Sequence, residues 1–430
     1  MALRIRKKTE GQNKKMDFPR MVKIRQAFPE LGLPDLIGEL EKVLSLSDLR
    51  NRINLGMLVG ITAGSRGINN ITLILSKLAA HVKSLGGQPI LIAAMGSHGG
   101  GNPAGQADLL HSLGITEKST GAEIICSTGT EKIGSAFYGD IYLNRRALEC
   151  DALIVVNRIK AHTSFHGDIE SGLLKMLAVG LGGPDGAASL HRCHPTQLSR
   201  AVAEAGMTVL QACPVVLGLA VLEDAHEQTR KIVAVRPEDF FEVERSLLAE
   251  SRQYLPGLPA SELDVLIVDQ IGKNFSGTGM DTNVIGRLRI QGTPEPESPS
   301  IRRIIVLDVA PEAHGNAYGI GLADFTTDRL AGKIDRESVY LNALTSTFTQ
   351  RAMLPMALPN DRAALKAALR SLGGAGPQDA RIIRIHNTLN LTEMLVSENI
   401  YEEISSSQII NKLGPPCEIT FAPEGNLLPF

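Results

Sequence analysis

MLVGITAGSRGINNITLILSKLAAHVKSLGGQPILIAAMGSHGGGNP, residues 57–103, decides the fold. Met57 to Ala63 is a short apolar run of strand formers, broken by Gly64-Ser65-Arg66-Gly67. From about Asn69 to Leu85, the residues Ile71, Ile74, Leu75, Leu78, Ala79 and Val82 recur at helical spacing, and Gly86-Gly87 ends the pattern. Pro89 to Ala94 reads as a second strand. It runs into Met95-Gly96-Ser97-His98-Gly99-Gly100-Gly101, after which Asn102 caps a helix with Pro103 at its first position. Strand, loop and helix, twice over, is the pattern of a parallel sheet. Ligands of such sheets sit beyond the strand C-termini, and Arg66 and His98 both fall there.

Outward from this stretch, the chain reads as two α/β domains with mainly parallel sheets, residues 1–256 and 257–430, and an active site in the cleft between them. Strands are expected at Glu123–Cys126, Ala152–Asn157, Val215–Leu222 and Lys231–Val235. Helices are expected at Pro195–Ala205, stopped by Gly206, and at Pro237–Tyr254. Leu255-Pro256-Gly257-Leu258-Pro259 is the linker. Beyond it come a strand at Asp264–Asp269, a Gly-rich loop at Gly272–Gly286, and a strand at Arg303–Val309. Helices near Asp324–Ala331, Arg336–Leu344 and Asp361–Leu372 and a strand at Arg381–His386 follow. About the last 25 residues are expected to return to the first domain.

Composition narrows the function. The formal net charge is −2, aromatic residues are 4% and Trp is absent, which argues against nucleic-acid and anionic-membrane partners. The five cysteines form no CxxC pair, as in a reducing compartment. Met1 to Lys15 is basic and polar with no apolar segment behind it, and no apolar run reaches membrane-spanning length. A cytoplasmic protein acting on a small molecule, with a homo-oligomer open to it, is the expectation.

The chemistry concentrates in Asn157 to Pro195, NRIKAHTSFHGDIESGLLKMLAVGLGGPDGAASLHRCHP, which holds four of the ten histidines: His162, His166, His191 and His194. Lys175 stands alone inside the apolar run Gly172–Gly183. A buried ammonium is costly, so such a lysine tends to lose its proton and become a nucleophile. The plainer reading is a lysine at a helix end that reaches its amine to water. His162 and His166 are four apart, and with His191 they suggest a zinc hydrolase. No HExxH motif supports it, and Gly167 and Gly172 interrupt the helix it would need. GSHGGG at 96–101 is a glycine nest suited to a phosphate or carboxylate, with His98 over it as acid or base. GKNFSGTGMDTN at 272–283 offers Lys273 and backbone donors, either to an anion or to an ordinary loop. A non-catalytic anion- or nucleotide-binding protein is the third reading.

Taken together in order, GSRG at 64–67, GSHGG at 96–100, SGLLKMLAVGLGG at 171–183 and His191, sixteen residues beyond Lys175, resemble the nickel-dependent lactate racemase family of 2-hydroxyacid racemases and epimerases. The resemblance covers roughly residues 55–290. It implies a nickel-pincer nucleotide, pyridinium-3-thioamide-5-thiocarboxylic acid mononucleotide with Ni(II), tethered to Lys175 through a thioamide. It implies His191 as the nickel ligand, Ser97, Gly99 and Gly100 as cofactor contacts, His98 and His162 as the catalytic acid–base pair, and Arg66 and Lys273 at the substrate. The implied reaction inverts the hydroxyl-bearing carbon of a 2-hydroxycarboxylic acid, a small 2-hydroxy acid or sugar acid, by reversible hydride transfer. The implied partners are the enzymes that mature the cofactor.

The chain also departs from that family. An acidic residue that usually stands three positions before the arginine is Ala63 here. The second catalytic histidine usually lies about ten residues before the lysine; position 165 is Phe, flanked by His162 and His166. Of these, His162 in NRIKAHT is preferred. Arg287 and Arg289 compete with Lys273 for the role of a late substrate-binding cation. These differences point to a substrate other than lactate.

Overall fold

The computed structural model describes residues 18–65, 67–374 and 376–430. Two compact units form: Phe28–Pro256, and Gly257–Phe430 together with the segment that ends at Ala27. The first strand, β1 (Met21–Gln26), belongs to the latter.

In Phe28–Pro256, β2 (Leu58–Ala63), β3 (Gln88–Ala93) and β4 (Glu123–Ile125) come first. A separate antiparallel hairpin follows, β5 (Thr130–Ala136) with β6 (Gly139–Asn144). Then come β7 (Ala152–Arg158), β8 (Val215–Glu223) and β9 (Thr229–Val235). Six of these make one sheet in the order β4-β3-β2-β7-β8-β9, parallel except for the last pair. Side chains alternate across it. Ile90, Ile92, Leu153 and Val155 join one core, and Leu91, Ala93, Ile154 and Val156 join the other. Both faces are covered, which is why these strands read as unbroken apolar runs. The helix Ile71–Ser84 lies on the second core through Ile74, Leu75, Leu78 and Val82. The helices Leu198–Ala212 and Phe240–Arg252 lie on the first.

The strand order places the site. From β2 the chain steps to β3 and β4 on one side, and β7 then pairs with β2 on the other. The connections that leave β2 and β7 therefore part in opposite directions, and a crevice opens beyond their C-terminal ends.

In the other unit, β10 (Glu262–Ile271), β11 (Ser300–Val309), β12 (Phe325–Thr327), β13 (Met356–Leu358) and β14 (Ile382–Ile385) are parallel. β15 (Glu393–Ser397), β1 and β16 (Ile410–Lys412) add antiparallel strands at one side, giving the order β13-β12-β11-β10-β14-β15-β1-β16. Among the described residues, no helix is long and apolar enough to cross a membrane.

The fold class is as expected from the sequence, a mixed α/β chain with mainly parallel sheets. Several boundaries differ. Residues 18–27, read from sequence as part of domain 1–256, are in the unit of residues 257–430, because β1 takes both its neighbours, β15 and β16, from the far end of the chain. The closing residues stay with that same unit instead of returning to residues 28–256: Phe421 packs on Phe18, and Leu427 N–H donates to Asp361 Oδ2 at 2.8 Å. The helix expected at Asp324–Ala331 begins as β12. Gly206 does not end its helix, which continues to Ala212. It is instead a point of close approach, where a Cβ would stand 2.8 Å from Leu174 O.

Candidate active site

Three connections converge beyond β2, β3 and β7. The first leaves β2 at Gly64-Ser65; Arg66, the substrate-carboxylate candidate, lies outside the described residues. The second, Ala94 to Gly101, is folded onto the helix Pro103–Ser112, which Asn102 caps by accepting from Gly105 N–H at 2.9 Å. Gly99 has φ +65°, and a Cβ there would lie 2.6 Å from the carbonyl carbon of Gly105, so conformation and space both demand glycine. Ser97 is half-buried within this loop and Gly100 is exposed. The loop is tied to the lysine segment by Gly96 N–H donating to Gly180 O at 3.2 Å. Ser65 Oγ lies 2.6 Å from His98 Nδ1, which joins the first two connections and orients the imidazole.

The third connection is closed at its base by an antiparallel bridge between Lys160 and Ser171. Glu170, with no exposed surface, organises its interior. It accepts from His162 N–H at 2.5 Å, from Gly167 N–H at 3.1 Å and from Arg252 at 2.5 Å, and lies 3.3 Å from His166 Nδ1. Burial by itself would raise this carboxyl, but bonds from the His166 ring, His162 N–H and Arg252 hold it below the ordinary glutamate value. His166 is thereby a partner of Glu170. His194 is likewise a local residue, accepting from Thr196 N–H at 3.4 Å at the start of a short helical turn. His162 differs. Its ring packs at a tilt of 31° on Phe165 with centroids 4.3 Å apart, and its Nδ1 accepts from Ser164 N–H at 3.1 Å.

Lys175 follows. It ends the helical turn Leu173–Lys175, which passes directly into a wider π-helical turn, Met176–Gly180. The lysine is half-buried between fully buried Leu174 and buried Met176. Its Nζ stands 5.6 Å from the Phe165 ring centroid, so one aromatic ring lies against both His162 and Lys175. His191, at the end of the helix Gly183–Leu190, is crowded on its inner side yet keeps an exposed edge. Burial first, and then the Lys175 ammonium, push its pKa below the usual histidine value. The neutral imidazole, which is the metal-binding form, is therefore favoured. Single π-helical turns are frequently found at functional sites.

One helix braces this segment from behind. Phe240–Arg252 supplies Arg252 to Glu170 and to Gly167 O, and two turns earlier it supplies Glu244. Glu244 is 1% exposed and its Oε2 accepts from Leu174 N–H at 2.9 Å. Burial pushes its carboxyl up to about 7.

The sequence-derived residues thus divide. His98 with Ser65 forms one linked set. His162, Phe165, Lys175 and His191 form another, and the Gly96–Gly180 bond joins the loops that carry the two sets. Lys273 belongs to the other unit, where its Nζ donates to Gly277 O at 3.0 Å and lies 5.2 Å from the Tyr318 ring. Arg287 and Arg289 are both paired with Asp324 there. Among the described residues no three His, Cys, Asp or Glu side chains are grouped to hold a metal ion, so the His162, His166 and His191 zinc cluster is not formed. Its physical obstacle is Glu170, which holds His166 within its own loop. Sequence reading missed Ser65, Phe165 and Glu244. Only Phe165 carried a signal, as the aromatic residue standing where a histidine was expected.

No protein-family model matches the chain, and no curated protein does. Solved structures do match. One is the lactate racemase apoprotein from Thermoanaerobacterium thermosaccharolyticum, over 86% of this chain and 98% of that one, with a TM-score of 0.52 and 13% identity. The likeness is one of fold.

Proposed function

We propose that the protein is an isomerase of the lactate racemase type, inverting the hydroxyl-bearing carbon of a 2-hydroxycarboxylic acid. The observation that carries this reading is the setting of Lys175: a half-buried amine at the mouth of a π-helical turn, beside an imidazole whose protonation it opposes, at the switch point of a parallel sheet. The shared fold supports it.

The residues fit a nickel-pincer nucleotide. Lys175 offers the single tethering amine, His191 a neutral imidazole for nickel, and Ser97, Gly99 and Gly100 a loop for the phosphate. When bound, that group supplies a hydride acceptor for an α-hydrogen too weakly acidic for any side chain to remove easily.

The rest falls to the chain's own side chains. His98, with Nδ1 on Ser65 Oγ, takes the hydroxyl proton at Nε2. His162 is the acid–base group proposed for the opposite enantiomer: protonated, it gives its proton to the carbonyl oxygen of the 2-keto acid as the hydride returns, and neutral, it takes the hydroxyl proton in the reverse direction. Arg66 is the cation proposed for the carboxylate, which fixes the acid while its central carbon turns. Phe165 excludes water between His162 and Lys175. Ala63, a neutral residue in place of an acid, goes with a substrate other than lactate, a larger hydroxy acid or a sugar acid.

The test is full-length protein produced with the cofactor-maturation enzymes. Intact mass and metal analysis should show a covalent adduct on Lys175 with one equivalent of nickel, and chiral analysis should show inversion within a panel of 2-hydroxy and sugar acids. Lys175→Ala should lose the adduct and the turnover together. Full turnover in that variant sinks the reading.

A further inference from the structure

The segment carrying Lys175 contains a glycine that its own backbone does not require. Gly172 has φ 179° and ψ −157°, extended values open to any residue. What forbids a side chain is Glu244: a Cβ at position 172 would stand 2.2 Å from Oε1, 2.4 Å from the carboxyl carbon and 2.9 Å from Oε2. The glycine is a seat for that carboxyl.

The seat is held on several sides. Asn157, near the end of β7, donates from Nδ2 to Gly172 O at 2.6 Å, and Met176 N–H donates to the same oxygen at 3.0 Å. Glu244 faces the N–H groups of Leu173 and Leu174, the latter within 2.9 Å of Oε2. Its Oε1 is buried with no hydrogen-bond partner. A side chain needed only to fill space would be apolar, because an incompletely bonded buried carboxyl costs stability. The group it does bond, Leu174 N–H, belongs to the residue immediately before Lys175. Two turns on, the same helix pins the preceding loop through Arg252 and Glu170.

We propose that Glu244 is a positioning residue for the Lys175 amine. By fixing Leu174 N–H in the turn Leu173–Lys175 against the seat at Gly172, it sets where the lysine side chain emerges relative to His191. This rests on the proposed reading only for what Lys175 carries; the positioning itself is a property of the unloaded protein.

The test uses full-length protein without the maturation enzymes, and variants Glu244→Ala, Glu244→Gln, Gly172→Ala and the Gly172→Ala/Glu244→Ala double. Each is first checked for a cooperative thermal transition. Limiting acetic anhydride then labels lysines, and peptide mass spectrometry compares Lys175 with the exposed Lys118 and Lys366. Glu244→Ala should raise the relative labelling of Lys175 about threefold or more, as should Gly172→Ala, and the double variant should exceed neither, because both changes break one coupled contact. Glu244→Gln retains an acceptor for Leu174 N–H and should stay within about twofold of wild type. A folded Glu244→Ala with wild-type labelling overturns the proposal, as does independent addition of the two alanine effects. Should Glu244→Ala not fold, Glu244→Asp, which withdraws the carboxyl by one methylene, is held to the same threefold rise. In matured protein, Glu244→Ala should also lower the fraction of Lys175 bearing an adduct, with Glu244→Gln restoring it. If matured wild type bears no adduct, the functional reading falls while the labelling still decides the role of Glu244.

Discussion

A carboxyl sealed against a glycine should leave its mark on titration. The carboxyl of Glu244 is raised by burial from 4.5 to about 7. Between those values the unfolded chain has released the proton and the folded one has kept it, so this group's contribution to stability falls as pH rises through that window and is level above it. The shift corresponds to roughly 3 kcal/mol at most. Glu244→Gln cannot ionise, so it should gain stability over wild type between pH 5 and pH 8, by about 1–3 kcal/mol in urea melts; equal differences at both pH values would contradict this. The histidines separate at the same scale. His162→Asn should lower kcat about 10²–10⁴-fold in matured enzyme with little change in substrate affinity, as expected for loss of an acid–base group. His166→Asn, which removes a partner of Glu170, should retain most of the rate and lose about 1 kcal/mol of stability.

The loop from Lys160 to Ser171 is an element built around one side chain. Glu170→Gln removes a charged acceptor from His162 N–H, Gly167 N–H and Arg252, at a cost of about 1–3 kcal/mol. Hydrogen exchange should speed at the His162 and Gly167 amides before it speeds in β7. Because the folded carboxyl lies below its ordinary value, its stabilisation is present above about pH 4.5 and is lost as pH falls through the lower folded pKa. Acid should therefore open this loop first, and exchange that quickens only with global unfolding would contradict the assignment. Elements of this kind also show what sequence could disclose. β2, β3 and β7 were legible because sealed parallel strands are apolar throughout. The hairpin β5–β6 was not, since TEKIGSA at Thr130–Ala136 has mostly polar or small residues and neither sheet core covers it on both faces. Lys175 stood out as a charge in an apolar run. Its brace did not: Glu244 is one of several acids on an amphipathic helix, and nothing nearby in sequence distinguishes it from the exposed Glu242. Gly206 misled for a related reason, as glycine signals a helix end and a close contact alike.

At the scale of the molecule, Phe28–Pro256 carries a complete sheet with a core on each face, the lysine segment and its bracing helix. As an isolated fragment it should unfold in a single cooperative transition and label Lys175 as the whole protein does. The other unit should not tolerate loss of its first strand: replacing Val22 and Ile24, both fully buried, by Asp should abolish its cooperative unfolding while leaving the Phe28–Pro256 transition in place. The pairing of β1 with β15 and β16 has a consequence during synthesis. Residue 26 leaves the ribosome some 367 residues ahead of residue 393, its earliest partner strand's start, an interval of about 20–70 s at usual translation rates. For that time Met21, Val22 and Ile24 form an apolar edge with no mate, while everything between can already have condensed. The newborn chain must shelter β1 until β15 and β16 arrive, so nascent-chain chaperones should bind most strongly there.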